Sequence, residues 1–131
     1  MVSETMMAKV KADADKAVLC WLATVGTDGV PNVSPKQLWA VQGDGTVRIA
    51  NIASPKTVAN LAGNPWACLS FIDIFRQKGF KLVGQTQVIA ADAPAFPDLV
   101  APLAAWAGDR FPIKDVILLS VESIERIWAP S

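Results

Sequence analysis

The segment "NIASPKTVANL" (residues 51–61) places Lys56 and Thr57 directly behind a Ser-Pro pair. Ser54 is a favourable N-cap, and Pro55 suits the first helical position, whose N–H has no intrahelical partner in any case. A helix starting there presents an ammonium, a hydroxyl and free backbone N–H groups at its positive end, a combination that binds phosphate. A first turn normally prefers an acid to a lysine, yet no acid stands between Ser54 and Gly63. The competing reading is a short capped helix whose lysine points into water. A second lysine poses a similar choice. In "NVSPKQLWAV" (32–41), Ser34 and Lys36 alternate onto one face of an extended segment, and Pro35 withholds an N–H from any ladder. Lys36 therefore either faces something negative or guards a sheet edge against aggregation.

Composition narrows what else the chain can do. It has no His and no Tyr. A Ser-His-Asp or Cys-His nucleophile and any His-based metal site are thus excluded, and the chemistry falls to a cofactor. Cys20 and Cys68 sit inside apolar runs and read as buried, inert thiols. Twelve basic residues balance twelve acidic ones without a block of like charge, so no nucleic-acid footprint is expected. Hydrophobic residues make up 52% of the chain, including five Trp, an excess that a subunit interface would cover. No apolar stretch reaches the roughly 18 residues of a membrane span. The N-terminal segment alternates acids and lysines and lacks an apolar signal core, which gives a cytoplasmic location by default.

The elements that must position these residues read as a single domain over 1–131. Ser3 caps a first helix running to about residue 17. Three apolar runs follow (18–25, 32–41 and 46–53), separated by two Asp-Gly turns, and read as an antiparallel meander. A helix over 54–62 ends at "GNP". Strands follow at 66–73 and 80–92, with Gly84 marking a bulge or bend in the second. A helix over 94–108, interrupted at Pro102, leads to a closing strand over 115–129. Six antiparallel strands pairing mainly with sequence neighbours, flanked by helices, predict a small closed or split β-barrel.

The order "GVPNVSPKQLWAV", an Asp-Gly hairpin, "TVRIANIASPKTVANLAGNPWACLSF" and then "GFKLVGQTQVI" resembles the FMN-binding split barrels related to pyridoxamine 5'-phosphate oxidase, over roughly residues 17–91. The resemblance implies that Lys56 and Thr57 hold the FMN phosphate. It also implies that Ser34, Pro35, Lys36 and Gln37 run beside the flavin ring and ribityl chain, and that the segment from Ala50 through Asn51 to Ser54 adds contacts. It implies a homodimer with two cofactor sites at the subunit interface, where the segments near Gly79 and Phe111 are the candidates for the second subunit's share. The chain lacks the family enzymes' arginine-containing phosphate pattern and Arg-rich C-terminal substrate segment, which disfavours vitamin B6 oxidation. Haem-degrading relatives are disfavoured because, without His or Tyr, the iron would need Met or Cys. The expected function is an FMN-dependent oxidoreductase that moves a hydride or electrons to or from an unknown small molecule. The alternatives are a non-catalytic electron carrier or storage module, and a reductase using the deazaflavin F420.

Overall fold

Ser3 caps the first helix through its hydroxyl, which accepts the Met6 N–H at 3.1 Å. The computed structural model describes residues 2–107 and 112–128. In chain order the elements are α1 (Glu4–Ala14), β1 (Cys20–Val25), β2 (Pro31–Lys36), β3 (Trp39–Val41), β4 (Thr46–Asn51), α2 (Pro55–Gly63), β5 (Trp66–Asp73), β6 (Lys78–Ala90), α3 (Phe96–Ala107) and β7 (Asp115–Ile127). The seven strands form one sheet in the order β2-β1-β5-β6-β7-β4-β3, with antiparallel pairing throughout. No helix among the described residues is long and apolar enough to cross a membrane.

The strand count is seven rather than six because the run over 32–41 breaks in two. Its first half, β2, pairs with β1, and its second half, β3, pairs with β4. These halves are the two opposite edges of the sheet. Only Gln37 and Leu38 join them, a link that spans roughly 11 Å at full extension. The sheet must therefore curl until its edges meet, which makes it a split barrel. The expected three-strand meander fails at this point, since β2 and β4 face each other across the closure instead of sharing a ladder. Pro35 fits an edge strand, where its missing N–H costs no sheet bond.

Alternation along the strands sends Leu22, Leu69, Phe71, Leu82, Val47, Ile49, Ile117 and Leu119 inward, and α1 adds Met7 and Val10 to the same core. A smaller cluster of Ala50, Leu103 and Val116 lies between α3 and the opposite face of β4 and β7. Helix α3 runs through Pro102 without interruption, contrary to the sequence expectation. Proline at 102 cannot donate to the carbonyl four residues earlier, that of Asp98. The Arg48 guanidinium supplies the missing donor instead, with Nη1 3.2 Å from the Asp98 carbonyl oxygen.

Gly84 behaves as expected. The β6–β7 register slips between Val83 and Gly84, and Glu122 is left without an opposite residue. A Cβ at position 84 would overlap the Ser120 carbonyl of β7. Main chain cannot yield as a flexible side chain can, so Gly84→Ala should destabilise the fold by about 1–3 kcal/mol in urea denaturation. Wild-type stability in that variant would refute so close an approach.

Candidate functional site

The closure between β2 and β4 is bridged by side chains. Register sets which of them point inward: Lys36 lies opposite Cys20, Ser34 opposite Leu22 and Asn32 opposite Thr24, all partners buried in the barrel. Facing this row are Asn51, at the end of β4, and the start of α2. Lys36 Nζ donates to Asn51 Oδ1 at 3.2 Å, and Asn51 Nδ2 donates in turn to Asp115 Oδ2 at 3.3 Å. The hydroxyls of Ser34 and Ser54 share a hydrogen bond of 3.2 Å. Those of Ser54 and Thr57 share one of 2.6 Å, and Thr57 Oγ1 donates to Ser34 Oγ at 3.5 Å. Asn32 Nδ2 reaches Ser34 Oγ at 3.4 Å.

Lys36 is the electrostatic centre of the seam. It is only 6% exposed, and no carboxylate among the described residues stands within ion-pair distance of it. Burial disfavours the ammonium and lowers its pKa below the ordinary value. The same burial pushes the Cys20 thiol up to about 12, which the nearby lysine offsets in part. Cys20 is thus a protonated core thiol at neutral pH, consistent with an inert reading. Buried cations are normally paired, so a lysine held by one neutral amide is a ready partner for an incoming anion.

The start of α2 differs from its sequence reading. Ser54 stands at the N-cap position but makes no side-chain cap, because its hydroxyl is held by Ser34 and Thr57. Thr57 is fully buried behind Ser54, whereas the Lys56 side chain is 54% exposed and turned outward. Lys56 Nζ lies 3.9 Å from Asp28 Oδ2, so the acid missing from α2 itself comes from the β1–β2 turn.

The structure brings Ser34, Lys36, Asn51, Ser54 and Thr57 together, with Lys56 at the rim. Pro35 points to the outer face opposite Trp21, and Gln37 is exposed at the strand break. Ala50 faces the α3 cluster, and its N–H is taken by the Leu38 carbonyl at 2.9 Å. Gly79 lies in the β5–β6 ladder against the Phe71 carbonyl. Phe111 lies outside the described residues. Beyond Gln37 a cleft of about 430 Å³ opens between α1, β3 and α3, with Trp39, Pro102 and Leu103 among its walls. Sequence reasoning missed Asn32, whose two-residue spacing from Ser34 signals the same face. It also missed Asp28 and Asp115, which only the tertiary fold brings near.

This arrangement of a polar seam in a curled antiparallel sheet has clear relatives. The profile of the pyridoxamine 5'-phosphate oxidase family matches residues 6–127. The chain belongs to this family. No curated protein matches it. Among solved structures, HupZ of Group A Streptococcus is similar with a TM-score of 0.73 at 23% identity, covering 98% of this chain and 96% of that one. An FMN-binding protein of Syntrophomonas wolfei subsp. wolfei gives 0.76 at 17% identity, with coverage of 98% and 92%. A haem-binding protein of Mycobacterium smegmatis gives 0.70 at 18% identity and covers 97% of this chain but 55% of its own. At these identities the likeness is one of fold, and the fold is the flavin-binding split barrel expected from the sequence.

Burial of Lys36 has a measurable consequence. Between the lowered folded pKa and the ordinary value of 10.5, the unfolded chain holds a proton that the folded chain has released. Stability supplied by this group therefore rises with pH across that window. The stability difference between wild type and Lys36→Met should shift towards wild type as the pH is raised from neutral to about 10. Cys20 titrates in both proteins and cancels to first order. A difference that stays flat in urea titrations would contradict a lowered Lys36 pKa.

Proposed function

We propose that the protein is a homodimeric FMN-binding oxidoreductase that exchanges a hydride or electrons with a small-molecule donor or acceptor. The observation that carries this reading is the buried, acid-free ammonium of Lys36 in a seam whose other wall is an uncapped helix start. The helix start favours a phosphate, and Lys36 favours electron-rich groups of the same ligand further along β2; family membership makes a flavin the appropriate one.

The residues fit the cofactor in kind. Lys56 and the first-turn N–H groups of α2 would hold the phosphate, with Ser34 and Ser54 supplying hydroxyls. Thr57 supports these two from behind. The main chain of β2 from Ser34 to Gln37 would lie along the ribityl chain and ring, and Asn51 keeps Lys36 directed into the seam. When bound, the flavin supplies the redox chemistry. The chain's own part is to orient, to exclude water and to hold positive charge nearby. Without His or Tyr the titratable groups in the seam's hydrogen-bond network, among the described residues, are Lys36 and Asp115, a sparse set that suits direct transfer over chemistry that needs a long proton relay. Haem would have to be ligated by Met or Cys, since the chain has no His or Tyr; of these, Met7 and Cys20 are sealed in the core, and Met6 and Cys68 are partly buried.

A dimer is supported by the outer face of β2, β1 and β5. Trp21, Val33 and Trp66 lie on that face and are 45%, 56% and 44% exposed. Apolar side chains this large on one sheet face favour a partner. Sedimentation should give a species of twice the 14.0 kDa chain mass, and Trp21→Glu should shift it to monomer. A wild-type monomer that still binds flavin would remove the interface from the proposal.

The activity is tested on protein loaded with FMN under anaerobic conditions. NADH or NADPH should bleach the flavin absorbance at a rate that saturates with donor concentration. If nicotinamides leave the spectrum unchanged while dithionite reduces it, the protein is a carrier or storage module and the enzymatic reading fails. Failure to take up FMN in a fluorescence titration would overturn the cofactor assignment itself.

A further inference from the structure

The β1–β2 turn brings a negative charge beside the Lys56 side chain. Asp28 Oδ2 lies 3.9 Å from Lys56 Nζ, while Oδ1 accepts the Val30 N–H at 3.0 Å. The turn is docked along the helix. A Cβ at Gly26 would stand 2.7 Å from Asn60 Oδ1, and one at Gly63 would stand 2.8 Å from Thr27 Cγ2. Asn60 Nδ2 also donates to Thr24 Oγ1 at 3.1 Å inside the barrel. These contacts hold the main chain of the turn against α2, so the carboxylate stays in the neighbourhood of Lys56 even when its side chain turns aside.

The carboxylate stands at the Lys56 ammonium, where any anion drawn to that lysine would also come. Asp28 therefore takes, electrostatically, the part that an anionic ligand would play. We propose that Asp28 is a specificity-determining residue of the cofactor site, a built-in counter-ion to Lys56 that a ligand phosphate must displace and beside which it must then remain. This inference rests on the proposed phosphate position at the start of α2. The repulsion falls on the phosphate and not on the ring or ribityl chain, so Asp28 narrows the preference for a phosphorylated flavin over its unphosphorylated counterpart. The ion pair is half exposed, which makes the effect moderate and sensitive to salt.

The test compares FMN with riboflavin by fluorescence titration of wild type, Asp28→Asn, Lys56→Ala and the double variant. Asparagine keeps the oxygen that accepts the Val30 N–H, and Asp28→Ser offers a second uncharged replacement should the first disturb the turn. In Asp28→Asn, FMN should bind about three- to tenfold tighter at low ionic strength, with a smaller gain in salt. Riboflavin affinity should not change. The gain should persist in the Lys56→Ala background, since part of it is repulsion removed from the phosphate itself. If FMN affinity is unchanged or lower in both Asp28 variants while Lys56→Ala still weakens FMN selectively, the role of Asp28 is refuted and the phosphate site stands. If Lys56→Ala weakens neither ligand, the phosphate position falls and the Asp28 inference falls with it.

Discussion

Two residues, Gln37 and Leu38, tie together the opposite edges of a seven-stranded sheet. Much else in the molecule follows from that short tether. The edges must meet, but β2 and β4 meet without a main-chain ladder between them. Their polar groups are satisfied by side chains, through Lys36 with Asn51 and Ser34 with Ser54. A closed ladder would leave no room for a ligand, whereas a seam of hydroxyls and amides can exchange its internal partners for external ones. The position of the candidate site is thus a result of how the barrel closes.

The seam is asymmetric in charge, and the fold maintains that asymmetry. Lys36 reaches in from β2 among apolar neighbours, where no carboxylate meets it. The nearest acid in its network, Asp115, is held one amide away through Asn51. At the other end Lys56 stands in solvent with Asp28 as its neighbour. One cation is therefore buried and nearly uncompensated, and the other is exposed and paired. Burial raises the cost of the first charge, and solvent lowers the value of the second. Equal-looking lysines in the sequence are unequal in the structure.

Local chemistry was the legible part. Both Asp-Gly turns form as read: Gly29 and Gly45 adopt φ of 74° and 89°, and Asp28 and Asp44 each accept the N–H two residues on. Ser3 caps α1, and Gly84 marks the slip in the β6–β7 ladder. The errors came where a distant residue overrode a local preference. The run over 32–41 has nothing in its composition to show that its halves belong to different edges, since β1 and β4 decide that. Ser54 has the right chemistry for a cap and spends it on hydroxyls brought by β2 and by Thr57. Pro102 would break an isolated helix, but Arg48 from β4 accepts the role of donor to the freed carbonyl. For the site, the residue types and alternation of Ser34 and Lys36 were readable. The opposing placement of Lys56 and Thr57, and the approach of Asp28, were not.

The β4–β7 ladder has a bearing on how the chain reaches this state. It pairs Asn51 with Asp115, 64 residues apart, while the β1–β2, β3–β4 and β5–β6 hairpins close over short turns. Short loops close at little entropic cost, and long ones add more to the barrier. The hairpins therefore form early, and the far wall of the seam waits until β7 has been synthesised and docked. A ligand recognising that wall would meet it only on the native side of the folding barrier. Its stabilisation would then appear as slower unfolding, a gain in kinetic persistence with little change in the rate at which the barrel forms.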